Sequence, residues 1–220
     1  MKKYFEILRK CRLFDGIEDE NLIAILSCLG VRVARYERNQ ALICEGEAVH
    51  EVGILLSGEV QIERVDYFGT RSIVATVVPS ELFGESFAFA EVRSIPVSVI
   101  ATEDSEVLLF DAARLTRTCG SSCRFHQTMI YNMMRNLAVK NLVFHQKIEV
   151  ISRRSTREKL MAYLTLQAER QGSPRFTIPY DRQALADYLE VDRSGLSAEI
   201  GKLRQEGVLK SRKNDFELLI

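Results

Sequence analysis

A short stretch near the end of the chain carries polar side chains at a spacing suited to contacts with DNA bases. An arginine and two serines follow Asp192 closely. On a helix that begins here, they would lie on the first two turns, the part of a recognition helix that meets base edges in the major groove. The arginine fork matches the O6 and N7 atoms of guanine. We therefore predict base contacts by Arg193, Ser194 and Ser197.

Several basic side chains follow this stretch. Lysine and arginine contact phosphates without reading sequence, and such contacts position a protein on the duplex. We predict phosphate contacts by Lys202, Arg204, Lys210, Arg212 and Lys213. The distribution of charge agrees, because the whole chain is neutral but residues 152–220 carry thirteen basic and ten acidic side chains.

Two short helices would have to hold these side chains in place. Asp181 can cap the first helix, on which Leu185 and Leu189 share one face. Asp192 or Ser194 can cap the second helix. Its buried face is predicted from apolar side chains at helical spacing, Leu196, Ile200 and Leu203.

The segment 207–220 is predicted to form a short hairpin around an Asn214-Asp215 turn. A basic hairpin behind a recognition helix is a wing, and the three elements together form a winged helix-turn-helix. For the two helices alone, a helical hairpin inside a larger all-helical domain is the alternative. The hairpin favours the winged form.

The first half of the chain is predicted to contain helices followed by many short strands. Residues 1–30 look helical, and Gly30 fits a helix C-cap. From Val31 to Asp111, short β-like runs are separated by turn residues, which indicates a β-sandwich or barrel. Further along, Ser155–Glu158 is a capping box for a helix that stops at Gly172, and Phe176–Ile178 is predicted to form a short strand.

Two segments of the β-rich region, Leu55–Val60 and Leu82–Phe87, carry a family resemblance. Together with the order of the other elements, they resemble the cyclic-AMP receptor protein/FNR superfamily of bacterial transcription regulators. The resemblance covers nearly the whole chain. It implies an α+β fold: an N-terminal cyclic-nucleotide-binding-like β-roll (jelly roll), a long dimerisation helix and a C-terminal winged helix-turn-helix. It also implies a double-stranded DNA operator, a homodimer and contact with RNA polymerase. The family positions that read bases correspond here to Arg193, Ser194, Ser197 and Ala198.

In nucleotide-binding members of this family, a Gly-Glu pair meets the ribose and a later arginine grips the phosphate. This chain keeps Gly84 and Glu85, but an ungapped alignment puts Ile95 and Pro96 where the arginine and its small neighbour would stand. A buried phosphate needs guanidinium or amide donors, and proline removes a backbone donor. We therefore do not expect the chain to bind cyclic AMP.

Two alternatives bear on this effector pocket. Arg93 lies two residues before Ile95 and would supply the missing guanidinium if the loop were shortened. Gly84 and Glu85 can instead form a structural turn and an N-cap for a helix that begins near Ser86, which we prefer. The candidate pocket residues are Gly84, Glu85, Ser86, Arg93, Ile95 and Pro96.

Residues 122–151 contain no glycine or proline and are predicted to form one long helix. Apolar side chains recur along it with alternating steps of four and three, as in a dimerising coiled coil, and Asn141 at one such position can fix a two-stranded state. A helix that only packs on its own roll is the alternative. The predicted dimer seam consists of Ile130, Met134, Leu137, Asn141, Phe144, Ile148 and Ile151.

The remaining reactive residues indicate neither an enzyme nor a metal centre. The first three of the five cysteines are far apart and do not resemble the tight cluster of iron–sulfur members. Cys119 and Cys123 are four apart and would form a redox or metal pair on a helix, but we favour packed thiols. The three histidines show no ligand spacing, so haem is unsupported. The effector, a small molecule or a redox signal, is not identified.

The sequence also predicts the cellular compartment and the domain boundaries. No apolar run approaches the length of a membrane span, and the Met-Lys-Lys start lacks the apolar core of a signal peptide, so we expect a cytoplasmic protein without a membrane partner. We divide the chain into a β-roll sensor domain (1–121), a dimerisation helix (122–151) and a DNA-binding domain (152–220).

The sequence thus predicts a homodimeric, sequence-specific transcription regulator whose roll does not respond to cyclic AMP. The alternative is a small-ligand or redox sensor whose C-terminal domain makes protein contacts rather than DNA contacts. A salt series on random duplex DNA discriminates between them, because a DNA reader loses affinity steeply as salt rises.

Overall fold

The structure is a computed structural model that describes residues 2–117 and 124–219. The chain divides into two compact units, one of Met1–Thr70 with Val74–Lys140 and one of Arg71–Ile73 with Asn141–Ile220. Our division into three domains stays a prediction, since its boundary between 121 and 122 lies outside the described residues. The cysteine pair at 119 and 123 also lies outside them.

The N-terminal lead-in is helical, as predicted. Short 3-10 helices at Lys2–Tyr4 and Arg12–Phe14 flank helix α1 (Phe5–Leu8). Helix α2 (Asp19–Leu29) buries one apolar face and ends at Gly30, whose left-handed backbone lets its N–H bond back to the last turn. The predicted C-cap is confirmed.

A β-roll follows, as the family resemblance implied, and its strands lie in the region of short β-like runs. Its strands are β1 (Arg32–Tyr36), β2 (Ala41–Ile43), β3 (Glu51–Ser57), β4 (Val60–Val65), β5 (Arg71–Val77), β6 (Leu82–Phe83), β7 (Ser98–Ala101) and β8 (Ser105–Asp111). They form two four-stranded sheets in the orders β1-β8-β3-β6 and β2-β7-β4-β5. Side chains from both sheets meet in an apolar core that includes Leu55, Val60, Phe83, Val99 and Val107.

Two short elements within the roll, a two-residue strand and a helix after β8, were not predicted from the sequence, whereas the short helix expected near Ser86 is present. Strand β6 spans two residues and leads directly into helix α3 (Glu85–Ala90), while helix α4 (Ala112–Thr116) follows β8. Asp111 caps α4 by accepting a hydrogen bond from the Ala113 N–H at 2.8 Å. Elements this short show no full period of apolar residues, so periodicity cannot detect them.

The long helix α5 (Arg124–Ile151) is confirmed over its described residues. The side of α5 that faces the roll is buried from Met129 to Asn136. One of its polar residues, Asn132, donates to the carbonyls of Leu13 and Asp15 at 3.0 and 2.8 Å. The buried amide is therefore satisfied by the N-terminal lead-in.

The C-terminal unit contains the predicted helices and hairpin. Its elements are α6 (Thr156–Gln171), β9 (Arg175–Thr177), α7 (Arg182–Leu189), α8 (Arg193–Gln205), β10 (Leu209–Arg212) and β11 (Asp215–Leu218). The strands form one antiparallel sheet in the order β10-β11-β9. No helix among the described residues is long and apolar enough to cross a membrane.

The local signals for α6 are confirmed in detail. The Ser155 hydroxyl accepts from the Glu158 N–H at 3.2 Å, and the Glu158 carboxylate accepts from the Ser155 N–H at 3.1 Å, so the capping box is complete. The helix ends before Gly172, which adopts the left-handed conformation. Strand β9 begins and ends one residue before the predicted strand.

Candidate nucleic-acid interface and effector site

The helix-turn-helix consists of α7 and α8, each started by an aspartate. The Asp181 carboxylate accepts from the Ala184 N–H at 2.8 Å, and the Asp192 carboxylate accepts from the Gly195 N–H at 2.8 Å. Between the helices, Glu190 takes a left-handed conformation with φ of 53° and lets the chain turn sharply. The apolar side chains predicted to hold the pair together, Leu185, Leu189, Leu196, Ile200 and Leu203, are all buried.

The first turns of α8 present the predicted base-reading side chains to solvent. Arg193, Ser194, Ser197 and Ala198 are all exposed. The Ser194 hydroxyl donates a hydrogen bond to the Asp192 carboxylate. This bond and the Gly195 N–H lower the pKa of the Asp192 carboxyl, which therefore stays ionised at neutral pH. Ser194 thus supports the cap and offers its oxygen only as an acceptor, whereas Arg193 keeps the long donor fork.

The predicted phosphate-contacting side chains also lie on the surface. They are Lys202 and Arg204 on α8, and Lys210, Arg212 and Lys213 on the hairpin. Two of them approach carboxylates, since Lys202 Nζ lies 3.6 Å from Glu199 and Lys210 Nζ lies 4.0 Å from Glu217. Exposed pairs of this kind are weak, so a phosphate can take the place of the carboxylate.

The hairpin β10–β11 has the wing geometry, with its turn one residue earlier than predicted. Leu209 pairs with Leu218, and Arg212 pairs with Asp215, so Lys213 and Asn214 form the turn. Lys213 has a φ of 54°, the left-handed conformation that a tight two-residue hairpin requires. The lysine therefore projects from the tip of the wing.

One residue that orients α8 was not found from the sequence. Arg157, on the first turn of α6, donates to Glu199 on α8 at 3.4 Å and to Glu206, the C-cap residue of α8, at 3.0 Å. The two acids are 42 and 49 residues away in the chain. No local sequence pattern connects residues so far apart, so this role of Arg157 could not be predicted from the sequence.

The candidate effector site lies at the start of α3. Gly84 occupies the N-cap position with a φ of 79°, and a side chain there would press against the Glu51 carbonyl at 3.1 Å. Glu85 is the first residue of α3 and makes no side-chain cap. The preferred interpretation, a turn and N-cap for a short helix, is therefore confirmed, with Gly84 as the N-cap and a helix start one residue earlier than Ser86. The Glu85 carboxylate turns inward. Ser86, the next residue, is exposed.

The inward Glu85 carboxylate is bonded to the long helix. The residue is 1% exposed, and its Oε1 lies 2.6 Å from Lys140 Nζ and 3.3 Å from Asn136 Nδ2. Lys140 also donates to the Leu82 carbonyl at 2.6 Å. A buried carboxylate needs a partner of opposite charge, and here α5 provides it.

The positions for a phosphate-binding arginine are filled differently. Ile95 is 1% exposed and packs in the core, and its backbone N–H and carbonyl bond to Glu47 and Gly46 at 3.0 and 2.9 Å. Pro96 is exposed, and so is Arg93. An apolar side chain therefore points inward at the position that the ungapped alignment assigns to the arginine.

The predicted dimer seam lies along one side of α5, and its residues differ in burial. Ile130 and Leu137 pack partly against the core of the N-terminal unit, and Ile151 is half-buried. The other seam residues are exposed, namely Met134, Asn141, Phe144 and Ile148. Further exposed apolar side chains that the heptad pattern omitted are Tyr131, Leu142 and Val143.

The described thiols and imidazoles form no metal centre. Among the described residues, no three histidine, cysteine or acidic side chains come together in a way that could hold a metal ion. Burial raises the pKa of the Cys11 thiol to about 12, so it is unreactive at neutral pH. Cys28 Sγ lies 3.8 Å from His126 Nε2.

The roll and the exposed helix-turn-helix together define a class, a transcription regulator with a sensor-type roll and a DNA-binding helix-turn-helix domain. Comparison with known families agrees on both parts. The cyclic nucleotide-binding domain matches residues 33–122, and the Crp-like helix-turn-helix domain matches residues 158–219.

Individual relatives lead to the same family. The chain is 27% identical to the cyclic AMP receptor protein of Thermus thermophilus over 199 residues, 90% of this chain and 88% of that protein. It is 26% identical to the nitrogen fixation regulation protein FixK of Rhizobium meliloti over 185 residues, covering 82% and 79%. The chain belongs to the cyclic-AMP receptor protein/FNR superfamily of transcription regulators.

The fold is also shared with solved structures. The c-di-GMP responsive regulator CLP of Xanthomonas campestris superposes with a TM-score of 0.74 at 16% identity, over 91% of this chain and 99% of that one. FixK2 of Bradyrhizobium japonicum gives a TM-score of 0.63 at 18% identity, over 86% and 93%. At such identities the likeness concerns the fold alone.

Proposed function

We propose that the protein is a homodimeric, sequence-specific DNA-binding regulator of transcription whose roll does not respond to cyclic AMP. The observation that carries the DNA-reading part is Arg193, exposed on the first turn of α8 beside a basic wing. Such an arginine reads guanine, while the lysines and arginines around it hold phosphates. We further propose contact with RNA polymerase, as the family resemblance implies, and a cytoplasmic location, where a bacterial regulator meets its DNA.

The test of DNA reading is selection from a pool of randomised duplexes, followed by binding to the selected site across a salt series. We expect one preferred sequence with two half-sites, and an affinity that falls steeply with salt because several phosphates are neutralised. Recovery of no preferred sequence, together with binding that is insensitive to salt, would assign the C-terminal unit to protein contacts instead.

The homodimer is supported by the exposed side of α5. Large apolar side chains lie along it, among them Tyr131, Met134, Leu142 and Ile148, whose exposures run from 59% to 66%. Soluble monomers rarely leave such a row uncovered. A second α5 packed in parallel would cover it, and Asn141 on the same side would set the register.

The lack of a cyclic AMP response is supported by Ile95 and Glu85. The first places an apolar side chain where a phosphate would need a guanidinium, and the second has already given its carboxylate to Lys140. We expect calorimetric titration with cyclic AMP to give no heat of specific binding up to millimolar concentration. Micromolar affinity would contradict this and would indicate that Arg93 has taken the role of the missing arginine.

A further inference from the structure

The ion pair between Glu85 and Lys140 connects two elements of the N-terminal unit. Glu85 lies at the start of α3, and Lys140 lies at the middle of α5, so the pair joins the roll to the helix that carries the dimer face. Asn136, one turn before Lys140, reinforces the same connection through Glu85 Oε1. Any ligand that bonded to this carboxylate would have to displace the lysine or share the oxygen with it.

We propose that Lys140 is an internal substitute for an effector. The side chain occupies the position between α3 and α5 that a small ligand at Glu85 would take, and it makes the contacts itself. The roll thereby holds α5 in one rotation about its own axis without any bound molecule. The inference rests on the proposed function, since the property that Lys140 would maintain is DNA binding by the dimer.

Two features make Lys140 suited to this role. Its ammonium donates to the Leu82 carbonyl as well as to Glu85, so one group connects the first residue of β6, the first residue of α3 and α5. The lysine side chain is 28% exposed, whereas that of Glu85 is 2% exposed. Loss of the lysine would therefore leave a buried carboxylate without its countercharge, while a neutral sugar hydroxyl could not supply that charge.

The arrangement also fixes which side of α5 faces outward. Asn136 and Lys140 are one helical turn apart and point to the roll, whereas Asn141, the residue after Lys140, is exposed on the seam side. Since a residue on a helix is about 100° from its neighbour, holding Lys140 inward holds Asn141 outward. A rotation of α5 that broke the ion pair would turn Asn141 and Met134 away from a partner helix.

The experiment replaces the internal ligand with an external one. In Lys140→Ala, the side chain lost beyond Cβ has the size and charge of propylammonium. We expect this variant to bind the selected operator at least tenfold more weakly than wild type, and added propylammonium chloride to restore most of the loss. Sodium chloride keeps the ionic strength equal, because DNA binding is sensitive to salt. Equal concentrations of 1-propanol should restore nothing.

The wild type should behave oppositely in the same assay. We expect it to bind the operator without any added ligand and to ignore propylammonium and cyclic nucleotides alike. Lys10→Met, which removes an exposed lysine far from α3 in the sequence, is the matched control and should bind as wild type does. Undiminished binding by Lys140→Ala, or a wild type that needs a nucleotide, would overturn the proposal.

A second variant covers the case in which Lys140→Ala does not fold. The double variant Glu85→Gln, Lys140→Met removes both charges and leaves no buried carboxylate unpaired, so we expect it to fold. It should still lose at least tenfold in operator affinity, because the connection between α3 and α5 is gone. Wild-type affinity in this variant would show that the ion pair is dispensable.

Failure of the proposed function would look different. If the wild type selects no DNA sequence, the dimer fraction by sedimentation replaces operator affinity as the readout for the same variants. A dimer weakened by Lys140→Ala and restored by propylammonium supports the internal effector even then, and an unchanged dimer contradicts it.

Discussion

The roll and the winged helix-turn-helix hold their candidate ligand-binding groups in opposite ways. In the roll, the Glu85 carboxylate is buried and bonded to Lys140 and Asn136. In the helix-turn-helix, Arg193 and the wing lysines are exposed to solvent, and buried apolar side chains pack beneath the two helices. One site is satisfied by its own chain, while the other keeps its donors for a partner. The difference indicates that the fold of a domain does not determine whether its ligand-binding groups are accessible to a ligand.

The largest effect is expected on the exposed side of α5, a helix whose residues belong to both units. In Phe144→Asp with Ile148→Asp, two exposed apolar residues become charges that a partner helix would bury. We expect dimer dissociation to rise at least a hundredfold, about 3 kcal/mol, because those charges would have no counterions in the seam. Sedimentation measures it, with unchanged circular dichroism as the control for folding.

These positions are preferable to Leu137, which packs partly on its own roll. A charge at Leu137 would weaken the N-terminal unit as well as the dimer, and the two effects could not be separated. If the double variant still sediments as a dimer, the exposed side of α5 does not form the interface.

The second test concerns the open site. Arg193→Ala should weaken binding to the selected operator by about 1–3 kcal/mol and relax one base position, because the guanine contact is lost. Repeating the selection with the variant measures both changes. An unchanged preferred sequence would mean that Arg193 does not read a base and that α8 meets the groove in another register.

The third test asks whether a charge buried in the C-terminal unit behaves like that of the roll. Lys147 donates to the Ile73 carbonyl and lies 4.4 Å from the centre of the Tyr188 ring. Burial lowers the pKa of the Lys147 ammonium to about 8, against the smaller opposing effect of Glu190. Unlike Lys140, this lysine is buried at a cost in free energy.

The sign of the pH dependence follows from that lowered pKa. Between pH 8 and 10.5 the unfolded chain keeps the Lys147 proton while the folded chain has lost it, so this residue makes stability rise with pH across that window. Below pH 8 both states are protonated and the cost is complete. The free energy of unfolding of wild type relative to Lys147→Met should therefore rise by about 1–2 kcal/mol from pH 8 to 10.5. Denaturant titrations at several pH values measure it, and a flat difference would contradict it.

The smallest effect is expected at the wing. Lys213→Asn removes the charge while keeping a residue that tolerates the left-handed backbone of the turn. We expect weaker binding to all sequences alike and a salt slope lower by about one, because one phosphate contact is lost. Titrations on operator and random duplexes measure this, and a loss confined to the operator would make Lys213 a base reader.

The sequence predicted the C-terminal unit well because its signals are local. Asp181 and the pair Ser155–Glu158 bond to groups three residues away, so their spacing alone defines the helix starts. The cap of α8 left two choices, and the structure selects Asp192 over Ser194. The turn of the wing lies one residue earlier than the predicted Asn214-Asp215 turn, and Lys213 takes the left-handed conformation.

The state of the effector site could not be predicted in the same way. Glu85 and Asn136 are 51 residues apart, and Lys140 is further still, so only the packing of α5 on the roll brings them together. The heptad pattern likewise could not show that Ile130 and Leu137 pack partly against the core of the N-terminal unit. A helix with apolar residues on two sides gives one periodic signal for two different contacts.

The cap of α8 has a consequence for how such a regulator can change over generations. The helix is started by Asp192, which lies just before the candidate base-reading residues, so the fold does not depend on what occupies positions 193, 197 and 198. Substitutions there can alter the preferred operator with little effect on stability, and new regulatory targets become accessible through single viable mutations. Substitution of Asp192 itself would lack this tolerance, since every reading residue depends on the helix that it begins.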